Sequence, residues 1–284
     1  MKCTLGPVLY IGLKVNRPYK ELVLTNDIAT ILEGWKYDGS SISARWIKGE
    51  DGHPKVQLRV DLGLLQMEIK GRPDGTQPHG KVSLLEYYLV EEEKDQELEV
   101  GLVLGEEDCS RLQQEALQYY YRYLAFYALN YLEGVIEDTQ HNLDLIELVT
   151  GSIEDEDIVW QFVQFFPYVK MMNARARGEQ LLKNEEFDHA LDTVQEALEA
   201  IQAFHSEYGD LGDEGDIYEV EVLKELQTQV QNKRPKTWEE RLNEELSQAI
   251  GREDYERAAE LRDVLRRVDP TAAKQLAPRK KRQI

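Results

Sequence analysis

Two different spacings of apolar residues divide this chain. Through about residue 81 the apolar positions alternate or come in short bursts, and beyond residue 82 they recur at intervals of three and four. Runs 8–15 and 21–25 are β-prone and bounded by Pro and by Asn26-Asp27. Asn26-Asp27 is expected to cap a short helix with Ile28, Ile31, Leu32 and Trp35 on one face. Positions 42–46 and 56–60 alternate on either side of Glu50-Asp51-Gly52, which predicts a β-hairpin with Asp51-Gly52 in its turn. Residues 64–69 predict one more strand, closed by the tight-turn sequence Gly71-Arg72-Pro73-Asp74-Gly75.

The helical spacing begins with a segment at 83–99. A long aromatic-rich helix is predicted over 106–131, with Leu117, Tyr120, Tyr121, Leu124, Tyr127, Ala128 and Tyr131 as its apolar stripe. Further helices are predicted near 135–149, 155–183, 186–207, 217–231, 238–250 and 254–267. Pro167 is expected to break or kink the second of these. Gly209 to Gly215, Arg234-Pro235 and Pro270 are expected breaks. The pattern as a whole predicts an α+β fold: a β-rich unit at 1–81, a body of antiparallel helical hairpins at 82–232, a separate hairpin at 233–270 and a basic disordered tail at 271–284.

An internal likeness runs at an offset of 68. Residues 183–191 place acids, Phe187, Asp188 and Ala190 where residues 251–259 place acids, Tyr255, Glu256 and Ala258. Both read as helix-to-helix corners with an aromatic wedge. The stretch at about 170–205 also resembles a tetratricopeptide unit, since Gly178, Leu181, Phe187, Ala190, Val194 and Ala197 fall where that repeat uses small and aromatic packing residues. Gln202 stands where the repeat usually closes with Pro.

Residues 242–265 carry the strongest motif. Two amphipathic segments meet at a short charged turn, followed by Tyr255-Glu256, Ala258-Ala259 and Arg262-Asp263. This stretch resembles the UVR motif, the helical hairpin shared by the excision-repair proteins UvrB and UvrC. Leu242, Leu246, Ala249 and Ile250 are expected to face Ala258, Leu261, Leu265 and Val268 in the seam. Tyr255, Glu256, Ala259, Arg262 and Arg266 are then the residues expected to bind a partner, with small Ala259 allowing close approach and arginine pairing with carboxylates. The resemblance implies a device that pairs with another protein. A hairpin docked on the chain's own helices is the alternative, because neighbouring helices pack locally.

Charge sharpens the division. The 284 residues carry a formal −20, yet residues 233–284 hold 14 Lys+Arg against 10 Asp+Glu, leaving −24 on residues 1–232. An acidic body opposes phosphates, so weak or no nucleic-acid binding is expected. No apolar run approaches a membrane span, and no targeting segment is read, which leads to the expectation of a cytoplasmic chain. Cys3 and Cys109 form no Cys-x-x-Cys pair.

Catalytic signals are thin. The chain has no Gly-x-x-x-x-Gly-Lys-Ser/Thr loop, so the helicase engine of UvrB is not expected, and Tyr10-Ile-Gly12 is too short an echo of the UvrC nuclease. His53, His79, His141, His189 and His205 are scattered, and no metal or cofactor is expected. Asp210 to Asp216 with Glu221 approaches a calcium loop, but Gly212 occupies a ligand position. Gly71 to Gly80 reads first as a structured strand-to-helix connector, since Gly and Pro punctuate such crossings; the alternative is that the amides opening the helix at Ser83, with Arg72 and His79, suit an anion. The tyrosines of 119–131 are read as core rather than as a base-stacking platform. The function expected is a non-enzymatic adaptor that binds another protein through the C-terminal hairpin. The alternative is an accessory factor of nucleotide excision repair contacting DNA or the UvrB/UvrC machinery. Oligomeric state is left open.

Overall fold

The computed structural model describes residues 27–97, 102–209 and 217–268. The expected strands at 8–15 and 21–25, the acidic loop at 210–216 and the basic tail lie outside them. Asp27 Oδ1 accepts a hydrogen bond from Ala29 N at 2.9 Å and starts the short helix α1, Ala29–Leu32. The strands β1, Ala44–Lys48, β2, Pro54–Val60, and β3, Gly63–Glu68, form one antiparallel sheet in the order β1-β2-β3. Trp46 pairs with Val56 and Leu58 with Leu65, the alternation anticipated from the sequence. Gly52 takes a φ of 82° in the first hairpin turn.

One sheet face is apolar and packs on helices. The other carries Arg45, Gln57, Arg59 and Gln66. There Arg45 Nε donates to Gln57 Oε1 at 2.8 Å, and its guanidinium lies 4.1 Å over the Trp35 ring. Segment 27–43 is thereby tied across the polar face.

Nine helices follow among the described residues: α2, Leu84–Glu97; α3, Glu106–Ala128; α4, Leu132–Ser152; α5, Glu156–Val163; α6, Phe166–Lys183; α7, Phe187–Tyr208; α8, Ile217–Lys233; α9, Trp238–Gly251; and α10, Tyr255–Val268. Pro167 stands in the first turn of α6, where its missing N–H costs nothing, so the expected break becomes the α5–α6 junction. The α+β class anticipated from the pattern is what the molecule shows. The core does not divide at residue 81, however. Val56, Leu58 and Met67 of the sheet join Tyr123, Phe126, Met171 and Ile201 of the helices in one cluster. A second cluster gathers Leu84 and Tyr88 of α2 with Leu112, Leu145, Val149 and Phe162.

The long helix departs from the expected stripe. It ends at Ala128, and Tyr131 caps the next helix instead of closing this one. Of the seven residues assigned to the stripe, only Leu124 is buried; Leu117 is 49% exposed. The buried side is nearly opposite, through Leu112, Glu115, Tyr119, Arg122, Tyr123 and Phe126. Two charged residues on that side hid it from a reading based on hydrophobicity.

Three helix-to-helix corners share one backbone design. At α3–α4, α6–α7 and α9–α10 the residues Asn130, Glu185 and Glu253 have φ of 56°, 62° and 60°. After each of them, the next N–H returns to the carbonyl five residues back: Tyr131 to Phe126, Glu186 to Leu181 and Asp254 to Ala249, each at 2.9 Å. This is the Schellman closure of a helix C-terminus. The last two corners stand at the offset of 68 read from the sequence, and the first was missed. Gly178 of α6 permits close packing: a Cβ there would lie 2.9 Å from Leu226 of α8 and 3.5 Å from Val194 of α7.

Candidate interaction surface on the C-terminal hairpin

Thr237 begins the hairpin with a capping box. Its hydroxyl accepts from Glu240 N at 3.1 Å, and Glu240 accepts from Thr237 N at 2.8 Å. Those bonds, with Arg234 alongside, hold the Glu240 carboxyl below its usual range, the Thr237 backbone bond contributing most. Arg234 also lies 3.6 Å from Asp188 of α7, so one guanidinium links the linker, the hairpin and the helical body.

The seam is Leu246, Ala249, Ala258 and Leu261, all buried, flanked by Leu242 and Leu265. Ile250 does not join it. It is 54% exposed, because one helical step beyond Ala249 turns its side chain away from α10. Val268 lies where side chains are not described. Arg257 crosses the seam to Glu245 at 3.4 Å and bonds Glu260 of its own helix at 3.0 Å.

The expected partner-binding residues fall on the outer side of α10. Tyr255 is 69% exposed, Glu256 is exposed and Ala259 is half-buried. Arg262 is exposed, with its Nε 4.0 Å from Asp263. Tyr255, Ala259 and Arg262 recur at four and three, so they share a helix face. The Arg266 side chain lies outside the described residues. Tyr255 is therefore no corner wedge. Phe187, its counterpart, is half-buried against the body, whereas among the described residues no helix covers the outside of the hairpin at Tyr255. Sequence reasoning missed Trp238, 51% exposed at the start of α9, and Ile250. Both sit in amphipathic patterns that assign apolar residues to a seam by default.

The alternative of an anion site near Arg72 and His79 resolves differently. The anion at the start of α2 is the chain's own Glu115. Its carboxylate accepts from Leu84 N at 2.8 Å and Leu85 N at 3.0 Å, with His141 Nε2 at 3.2 Å and Arg72 Nε at 3.5 Å. Burial pushes the Glu115 carboxyl up, but His141 and the two amides outweigh it and leave it lowered. His79 takes no part; it is exposed and stacks on Tyr87 with ring centres 4.1 Å apart. Beside this network Arg122 binds Asp138 in bidentate fashion at 2.9 and 2.7 Å and donates to the carbonyls of Glu68 and Gly71. Segment 68–85 is thus tied to α3 by charges turned inward.

A groove of about 340 Å³ lies between α3 and α5, lined by Glu106, Cys109, Ser110, Gln113, Ile158 and Gln161. Burial raises the Cys109 thiol above its ordinary range, the wrong direction for a nucleophile. Among the described residues no group of His, Cys, Asp and Glu has the makings of a metal site, and no helix is long and apolar enough to cross a membrane.

Comparison with known proteins bears on the hairpin alone. Residues 240–269 match the family model of the UvrB/uvrC motif. That span runs from the first turn of α9 through the end of α10, the same segment that resembles the UVR motif in the sequence. No curated protein and no solved structure matches the chain.

Proposed function

We propose that the chain is a non-enzymatic adaptor whose α9–α10 hairpin binds another protein by helix-on-helix packing. One observation carries this reading: the seam is satisfied within the hairpin, yet Tyr255 at 69% and Ile250 at 54% exposure remain on its outside. A small hairpin gains by covering such residues, and an exposed Tyr beside Arg is the composition of an interface anchor. The match to the UvrB/uvrC motif supports the same use. A photoreactive phenylalanine analogue at position 255 in its own host should crosslink to a discrete protein. Arg262→Glu should reduce that product at least several-fold while leaving the melting temperature nearly unchanged. A large fall in melting temperature would make Arg262 structural, and crosslinks only to the chain's own helices would favour the docked hairpin.

The charge of residues 233–284 favours a second reading, an accessory factor of nucleotide excision repair. A net positive segment joined to a −24 body is the arrangement expected if only the C-terminal module approaches DNA. Duplex titration separates the two readings.

A further inference from the structure

The sheet has an open edge at β1. Gly49 N donates to the His53 carbonyl at 2.7 Å and Arg59 N to the Ser43 carbonyl at 2.8 Å. With the β1–β2 register, the ladder bonds of this strand therefore fall at Ser43, Arg45, Ile47 and Gly49. Ala44, Trp46 and Lys48 turn their N–H and C=O groups away from β2, and among the described residues nothing pairs with those groups. The far edge is partly closed: Glu68 N donates to the Pro73 carbonyl at 2.9 Å, and Arg122 donates to the Glu68 carbonyl at 2.9 Å.

The open edge also leaves apolar surface uncovered. Trp46 stacks on Phe126 with ring centres 5.8 Å apart and meets the Tyr131 ring edge-on at 5.7 Å, yet it is 43% exposed. Gly134 makes room for those rings, since a Cβ there would lie 2.5 Å from Phe126. Ile42, just before the strand, is 48% exposed. An unpaired strand beside uncovered apolar side chains is a template for a further strand.

Charge and symmetry select the occupant. Residues 27–81 hold 8 Lys+Arg against 8 Asp+Glu, whereas residues 82–232 hold 8 against 35. Two acidic chains can therefore approach through their neutral sheets more readily than through their helices. The outward groups are centred on Trp46. A two-fold axis there pairs Trp46 with Trp46 and Ala44 with Lys48, each pair exchanging two hydrogen bonds. Arg45 then faces Ile47, so no like charges stand directly opposite. The chain's own start points elsewhere. A Cβ on Gly63 would lie 3.4 Å from Ile28, which puts the first described residues beside β3, two strands from this edge.

We propose that β1 is a dimer edge, at which two copies of this chain pair antiparallel about Trp46 to form one continuous sheet. The pairing does not depend on the hairpin, and a dimer built this way carries two hairpins.

The test is sedimentation of the full chain at increasing concentration, with the mass expected to rise from 32.9 kDa toward twice that value. So short an edge buries less than the roughly 1,200 Å² of a standard interface, so half-association is expected at about 10–100 μM. Ala44→Pro removes an outward N–H without touching the β2 ladder and should raise that concentration about ten-fold or more. Arg262→Glu on the hairpin should leave it unchanged. Amide exchange of the parent chain, read by NMR, gives a second measurement that does not rely on a variant. The N–H groups of Ala44, Trp46 and Lys48 should become protected as concentration rises, while those of Arg45 and Ile47 are protected throughout. A mass of one chain at every concentration would overturn the proposal. Association lost in Arg262→Glu but unchanged in Ala44→Pro would place the contact on the hairpin and overturn it as well. Protection of Ala44, Trp46 and Lys48 that is independent of concentration would assign the edge to residues 1–26 of the same chain, again against the proposal.

Discussion

Glu115 has no water to face, so its carboxylate must be matched from inside. Two amides of α2, His141 and Arg72 surround it, and its pKa stays below the ordinary 4.5 despite burial. The sign follows from linkage. A carboxyl whose folded value is depressed adds stability above its unfolded pKa and loses it as pH falls through the lowered folded value. Acid unfolding should therefore have a contribution from Glu115 below about pH 4.5. Glu115→Gln should cost about 1–3 kcal/mol at pH 7 by weakening a buried charged hydrogen-bond set. The gap from the parent chain should narrow as pH drops below 4, measured by urea unfolding at a series of pH values. A pH-independent difference would assign Glu115 a packing role only. Glu115 and Arg122 also explain why the buried side of α3 was not legible. A hydrophobic pattern discounts charged positions, yet here they fill the core because their partners arrive from segment 68–85 and from α4. The anion-binding chemistry at the start of α2 was readable from Gly71 to Ser83 only as an alternative to a plain connector. Its occupant was not, because Glu115 lies some thirty positions away.

At the scale of elements, the offset-68 likeness was readable because acids and an aromatic mark both corners. The α3–α4 corner escaped notice because Asn130 and Leu132 replace them, although the backbone closes in the same way. The left-handed position is held by Glu at two corners, where a side chain costs about 1–2 kcal/mol and glycine costs little. Glu253→Gly should stabilise the hairpin by about 0.5–1 kcal/mol, after subtracting glycine's larger unfolded-state entropy. Hydrogen exchange of the α10 amides should slow about 2- to 5-fold in response. Faster exchange would mean that Glu253 is held by something other than the turn. Burial separates the corners energetically. Phe187 is half-buried, so Phe187→Ala should cost less than the roughly 3–5 kcal/mol of a full core position. Tyr255→Ala should cost under about 0.5 kcal/mol, as expected for a surface substitution away from the core. Thermal melts of the two variants should separate clearly, and equal losses would restore the wedge at Tyr255.

Across the whole molecule, a −24 body and a +4 C-terminal portion make the salt response the most direct test of the two functional readings. Spacing and charge made the class of fold and the identity of the hairpin readable, since both depend on local repetition. Which hairpin face stays open depends on what surrounds it, and only the assembled structure gives that. The outer residues are mixed in sign: Arg262 has Asp263 at 4.0 Å, and Arg257 is engaged by Glu245 and Glu260. Such paired arginines release few counterions on meeting DNA, which leaves the tail residues Arg279, Lys280, Lys281 and Arg282 as the densest run of basic charge for phosphates. Duplex affinity of the full chain should therefore be no tighter than the non-specific range, roughly 10⁻⁴ to 10⁻⁶ M at physiological salt, and weaker still for the repulsion of the body. Replacing those four residues with Gln should remove most of what binding there is and flatten its salt dependence, read from anisotropy of a labelled duplex between about 0.05 and 0.2 M salt. Submicromolar binding that survives the replacement would place phosphate contacts on the hairpin itself and promote the repair-factor reading over the adaptor.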